Sequence, residues 1–131
     1  MLIVGTISQK GGVGKSTIAR LLGVTYAKGG WRVKIADLDT NQMTSTEWVR
    51  IRLAQHVEPV IAAEPFNSVP QALRQDYDLL ILDGKPASSR ETLEIARAAQ
   101  LLVIPTTTTT DDLIPAVSKA TLGQEMCCVT H

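Results

Sequence analysis

The run Gln9-Lys10-Gly11-Gly12-Val13-Gly14-Lys15-Ser16-Thr17 brings together three glycines, two lysines and two hydroxyls in the order that a phosphate-binding loop needs. Gly11, Gly12 and Gly14 allow backbone conformations that a Cβ would forbid, and they bring successive N–H groups up to an anion. Lys15 would neutralise β- and γ-phosphates, and Ser16 would offer its hydroxyl to Mg²⁺. A helix opening at this point directs its positive dipole end at the same oxygens. The chemistry implied is capture of a nucleoside triphosphate by Gly11, Gly12, Val13, Gly14, Lys15, Ser16 and Thr17. The template G-x-x-x-x-G-K-[ST] asks for glycine at its first position, where Gln9 stands.

Three carboxylates complete the set. Asp37 and Asp39 follow the apolar run Val33-Lys34-Ile35-Ala36, and Asp83 closes Asp78-Leu79-Leu80-Ile81-Leu82-Asp83. Carboxylates beside a triphosphate need a cation between them, so Mg²⁺ is expected, with Ser16, Asp37 and Asp83 as its candidate holders. Asp37 and Asp39 are two residues apart, which on an extended segment turns both the same way.

Positioning these groups requires strands that deliver them to one edge. Leu2-Ile3-Val4-Gly5-Thr6-Ile7 is a short apolar run typical of a buried parallel strand, and Ile18, Leu21 and Leu22 continue the loop with helical spacing. Gly29-Gly30 supplies a helix stop. The pattern then predicts a helix over 44–54, a third strand over 57–62, and a short helix ending near Gln75 after a loop framed by Pro65 and Pro70. It continues with a strand over 78–83, a helix through Ala99 opened by the capping box Ser88-x-x-Glu91, and a fifth strand over 101–104 closed by Pro105. Asp111 or Asp112 would cap one more helix running toward Leu122. Alternating strand and helix gives an α/β fold: a doubly wound, mostly parallel sheet of about five strands with helices on both faces. Ligands of such sheets sit outside the carboxyl ends of the strands, where the loop and all three aspartates emerge.

Length and composition set the bounds. The chain has 131 residues, 44% of them hydrophobic, which suits one domain with its own core. Lys and Arg number 13 against 13 Asp and Glu, so no basic excess marks a nucleic-acid footprint, and non-specific DNA binding gains no support from charge. Cys127 and Cys128 are adjacent and are the only cysteines, which fits neither a disulfide framework nor spaced zinc pairs; a reducing cytoplasm is the expected setting. No apolar stretch approaches the roughly 18 residues of a membrane span. His56 is expected as a solvated helix-end residue, and Trp48, three residues before Ile51, as core or interface.

With these residues in view, the chain resembles the deviant Walker A ATPases of the ParA and MinD type, a branch of the P-loop NTPases. In that family the loop reads K-G-G-x-G-K-[ST] and the second strand ends in D-x-D. The match covers nearly the whole chain. It implies ATP and Mg²⁺ as ligands, ATP hydrolysis that is slow and partner-stimulated, a nucleotide-dependent homodimer, and a centromere-binding partner protein in plasmid or chromosome partition. By resemblance, Lys10 is the signature lysine that reaches a partner's phosphates, Lys15 the loop lysine, Asp39 the aspartate that positions the attacking water, and Asp83 the Walker B carboxylate. Asp37-Leu38-Asp39 followed by Trp48, and Ile104-Pro105 with Asp111-Asp112-Leu113, look more like the small partition proteins than like MinD.

Three departures stand out. Thr40-Asn41 replaces the family's Pro-Gln, and Lys85 stands where relatives usually carry proline. Relatives also continue further, so residues 1–131 are expected as a single domain lacking the family's C-terminal strands and helices. The tail from Gln124 to His131 matches no family pattern. Ending after a fifth strand would leave 101–104 as an open apolar edge prone to self-association. Two alternatives remain beside the ATPase switch: a shortened nucleotide-binding module without turnover, and a biosynthetic phosphoryl-transfer enzyme using the same loop.

Overall fold

In the computed structural model, which describes residues 1–8, 14–85, 89–106 and 125–130, six strands lie parallel in the order β3-β2-β4-β1-β5-β6. The strands are β1 (Leu2–Thr6), β2 (Val33–Asp37), β3 (Ala62–Pro65), β4 (Leu79–Asp83), β5 (Leu101–Thr106) and β6 (Glu125–Thr130). The helices among the described residues are α1 (Lys15–Lys28), α2 (Thr44–Ala54), α3 (Val69–Ala72) and α4 (Ser89–Ala98).

β4 shows why the sheet is covered on both faces. All five of its residues are buried, and successive side chains enter opposite layers. Leu80 and Leu82 join Ile7, Leu38, Phe66, Val69, Ile95 and Leu102 on one face. Leu79 and Ile81 join Val4, Ala19, Ile35, Val49 and Val103 on the other. Thus α3 and α4 cover the first face, and α1 and α2 the second.

The chain leaves β1 through α1 to reach β2 beyond β4, and it leaves β4 through α4 to reach β5 beyond β1. Connections that depart in opposite directions from adjacent strands open a crevice at their carboxyl ends. α1 begins there with Gly14 in the left-handed region at φ 89°, a conformation that favours glycine. Its other end is a Schellman closure: Gly30, at φ 91°, donates its N–H to Ala27 O, and Trp31 donates to Tyr26 O. The Tyr26 and Trp31 rings meet edge to face at 4.9 Å, supplying the apolar contact that accompanies this motif.

Three expectations need correction. The third strand lies at Ala62–Pro65, not at 57–62, because Val57 closes the end of α2 through Arg52 O and Val60 is left 62% exposed. β5 runs through Pro105 to Thr106. Proline is tolerated there because pairing with β1 already ends at Val103. Among the described residues the unmatched tail forms a sixth strand, β6, which pairs with β5 from Leu101↔Glu125 to Thr106↔Thr130. The segment 101–104 is therefore an interior strand, and the sheet edge has moved to β6. Ser88 of the expected capping box and the expected helix from Asp111 or Asp112 lie outside the described residues.

Candidate functional site

Parallel register sets the site. Thr6, Asp37 and Asp83 occupy equivalent rungs at the carboxyl ends of β1, β2 and β4. Lys15, the first residue of α1, is 8% exposed and donates from Nζ to Asp83 Oδ1. The same Nζ lies 3.4 Å from Ser16 Oγ. No side chain caps the first turn of α1, so its leading N–H groups face the crevice without a capping oxygen.

Asp83 is held on every side. Thr6 Oγ1 is 3.4 Å from Oδ1, and Ser45 Oγ donates to Oδ2 at 3.0 Å. Asp37 plays a different part. Its Oδ2 accepts from the Thr46 N–H at 3.2 Å and the Thr46 hydroxyl at 3.1 Å, and its Oδ1 accepts from the Asp39 N–H at 3.3 Å. Asp37 therefore also fastens the loop between β2 and α2. Burial raises its pKa above the usual 3.8, an effect the Thr46 N–H opposes. Asp39 is half-buried just beyond β2 and closes a turn, accepting from Gln42 N–H at 3.4 Å on Oδ1. That loop ends at Met43, a non-glycine residue in the left-handed region at φ 49°.

Of the sequence-predicted residues, the structure brings Lys15, Ser16, Asp37, Asp39 and Asp83 to one edge. Lys10, Gly11, Gly12 and Val13 lie outside the described residues, while Gly14 and Thr17 open α1. Sequence reasoning missed Thr6, Ser45 and Thr46, the hydroxyls that bond the carboxylates; the Thr44-Ser45-Thr46 run at the start of α2 was the signal available. Glu91, expected in a capping box, has a further role: its Oε1 accepts from Lys85 N–H at 2.8 Å. Burial raises the Glu91 pKa above 4.5, against the opposing pull of the Lys85 N–H. Lys85 donates from its backbone to this carboxylate, which fixes the turn after Asp83.

The donor set suits a hard cation and a polyphosphate. Among the described residues no group of three or more His, Cys, Asp or Glu is placed to hold a metal, so a cation here would rely on Ser16, one or two carboxylates and the ligand's own oxygens. Mg²⁺ is bound in that way beside phosphates. Ser8, 1% exposed at the entrance to the loop, has a hydroxyl with no partner among the described residues, a further polar atom for a ligand at this edge.

The profile of the CobQ/CobB/MinD/ParA nucleotide-binding domain matches residues 4–123. The chain belongs to this family. Among curated relatives it is 30% identical to the chromosome-partitioning ATPase Soj of Thermus thermophilus over 133 residues, covering 78% of this chain and 53% of Soj. It is 28% identical to the protein ParA of Rhizobium radiobacter, covering 95% of this chain and 54% of that protein. The chain thus spans about half the length of these two relatives. Among solved structures, a plasmid partition protein of Borrelia burgdorferi superposes with a TM-score of 0.73 at 18% identity, covering 98% of this chain and 77% of that one. The septum site-determining protein MinD of Pyrococcus horikoshii, solved with Mg-ADP, superposes at 0.69 with 13% identity, covering 95% and 67%. These likenesses show that this ParA/MinD-family domain has the P-loop NTPase fold. No helix among the described residues is long and apolar enough to cross a membrane.

Proposed function

We propose that this ParA/MinD-family domain is the nucleotide-binding core of an ATP-dependent switch acting in plasmid or chromosome partition. One observation carries the reading: the first lysine of α1 sits on the last carboxylate of β4, with Asp37 and Asp39 on the neighbouring strand end. Gly11, Gly12, Val13, Gly14, Lys15, Ser16 and Thr17 bind the triphosphate of ATP. Ser16 and Asp83 hold Mg²⁺, and Asp37 supports the same shell while fastening the loop. Bound Mg²⁺ neutralises charge between phosphate oxygens and carboxylates. Asp39 orients the attacking water, and Lys10 reaches the phosphates of a second copy in a nucleotide-dependent homodimer. A centromere-binding protein is the partner that this reading carries, and cytoplasm is its compartment.

A cation delivered in trans accelerates related phosphoryl transfers by about 10³ to 10⁵, so an isolated subunit should turn over very slowly. Light scattering of an Asp39→Ala variant tests the switch, because slowed hydrolysis traps a dimer. A dimer with Mg²⁺-ATP and a monomer with Mg²⁺-ADP support it. A mass that ignores the nucleotide overturns it. Unchanged turnover in Lys10→Ala would sink the trans role of that lysine. Because the chain matches about half of Soj and of ParA, the second reading is a module that binds nucleotide without its own turnover. Binding heat without dimer or hydrolysis would favour that reading.

A further inference from the structure

Ser45, the second residue of α2, is fully buried and stands between two opposite charges. Its hydroxyl donates to Asp83 Oδ2 at 3.0 Å and accepts from Arg20 Nε of α1 at 3.4 Å. The Arg20 guanidinium carbon lies 5.6 Å from the centroid of the Trp48 ring. The Arg52 guanidinium carbon lies 4.9 Å from the same centroid. One indole therefore faces two cations, one of which is tied through a single hydroxyl to the carboxylate that Lys15 engages.

This arrangement allows little slack. A buried hydroxyl that lost its acceptor would be left unsatisfied, so Ser45 must follow Asp83 when the carboxylate changes its bonds. Arg20 must then reorient, and its distance from the indole changes with it. We propose that Ser45 is a positioning residue for Asp83, and that it passes a change in the bonding of that carboxylate to the Arg20–Trp48–Arg52 stack between α1 and α2. The inference rests on the reading of Lys15 and Asp83 as the phosphate and metal groups of a nucleotide site, and it adds the route by which α2 senses that site. Nothing in the loop motif specifies it: none of Ser45, Arg20, Trp48 and Arg52 belongs to the motif.

The chain has two tryptophans, Trp31 and Trp48, so Trp31→Phe leaves Trp48 as the sole indole. In that background, ADP is titrated with and without Mg²⁺, following Trp48 emission and, in parallel, calorimetric heat. The expected result is a Mg²⁺-dependent shift in emission. Adding Ser45→Ala should abolish the shift and reduce the Mg²⁺-dependent gain in ADP affinity by about tenfold, the worth of one hydrogen bond to a charged group. Arg20→Gln keeps the Ser45–Asp83 bond, so it should silence Trp48 while leaving the Mg²⁺ gain intact. It also serves as the test if Ser45→Ala does not fold. Binding heat with a silent Trp48 in the parent overturns the relay alone, as does an emission shift that survives both substitutions. Absence of heat with any nucleotide overturns the nucleotide reading together with the relay.

Discussion

Lys15 and Asp83, at 8% and 2% exposure, form an ion pair taken almost entirely out of water. Removing one partner of such a pair leaves a buried charge uncompensated, at a cost of about 3–5 kcal/mol, whereas neutralising both costs far less. Lys15→Met should therefore lower unfolding stability by about 3 kcal/mol, and Lys15→Met with Asp83→Asn should recover most of it in denaturant titrations. Equal losses in the single and double variants would remove the pair as the cause. Met43 offers the opposite sign. A side chain held at φ 49° costs roughly 1 kcal/mol, and asparagine tolerates that region, so Met43→Asn should raise the unfolding midpoint. Glu91 gives a pH signature. Its folded pKa lies above 4.5 because of burial, so the native state binds the proton more tightly than the unfolded chain does. Ionised Glu91 therefore weakens the fold as pH rises through and above that value. Glu91→Gln keeps an acceptor for the Lys85 N–H without the charge. It should match the parent in Tm below pH 4.5 and exceed it at neutral pH; a pH-independent difference would contradict this. At this scale the strand-ending aspartates were legible because apolar runs end on them. The hydroxyls of Thr6, Ser45 and Thr46 were not, since a buried hydroxyl is written in sequence just as a solvated one is.

Elements were legible where a single force shaped them. The helix over 44–54 coincides with Thr44–Ala54, and 78–83 contains Leu79–Asp83, a run short enough for a strand and bounded by aspartates. The region after α2 misled, because the valines at 57 and 60 look like strand residues although neither is buried. Glycines within and after strands carry a packing message. A Cβ on Gly84 would lie 2.7 Å from Ile95 Cδ1 and 3.3 Å from Glu91 Oε1, so Ile95 would have to shift to admit it. Gly84→Ala should cost about 1–3 kcal/mol by overpacking. Adding Ile95→Val deletes the obstructing methyl and should restore part of the loss, read as a rise in Tm of the double variant over Gly84→Ala. A double variant no more stable than the single one would place the clash elsewhere.

At the scale of the molecule, α/β class and parallel order followed from alternation, while the tail strand β6 did not. β6 carries no apolar run long enough to announce itself, and it belongs to the sheet through backbone pairing along the whole of β5. Removing residues 125–131 should expose β5 as an edge and make self-association concentration-dependent in sedimentation velocity, whereas the full chain should associate less. Equal behaviour of the two would mean that β6 does not protect that edge. The same sheet order has a consequence for how the chain is made. β1 is made before both of its partners, which begin at Leu79 and Leu101. The phosphate loop is thus translated long before the strands that aim it exist. Until Leu79–Asp83 has emerged, Lys15 has no Asp83 to meet, and ligand binding waits on that strand.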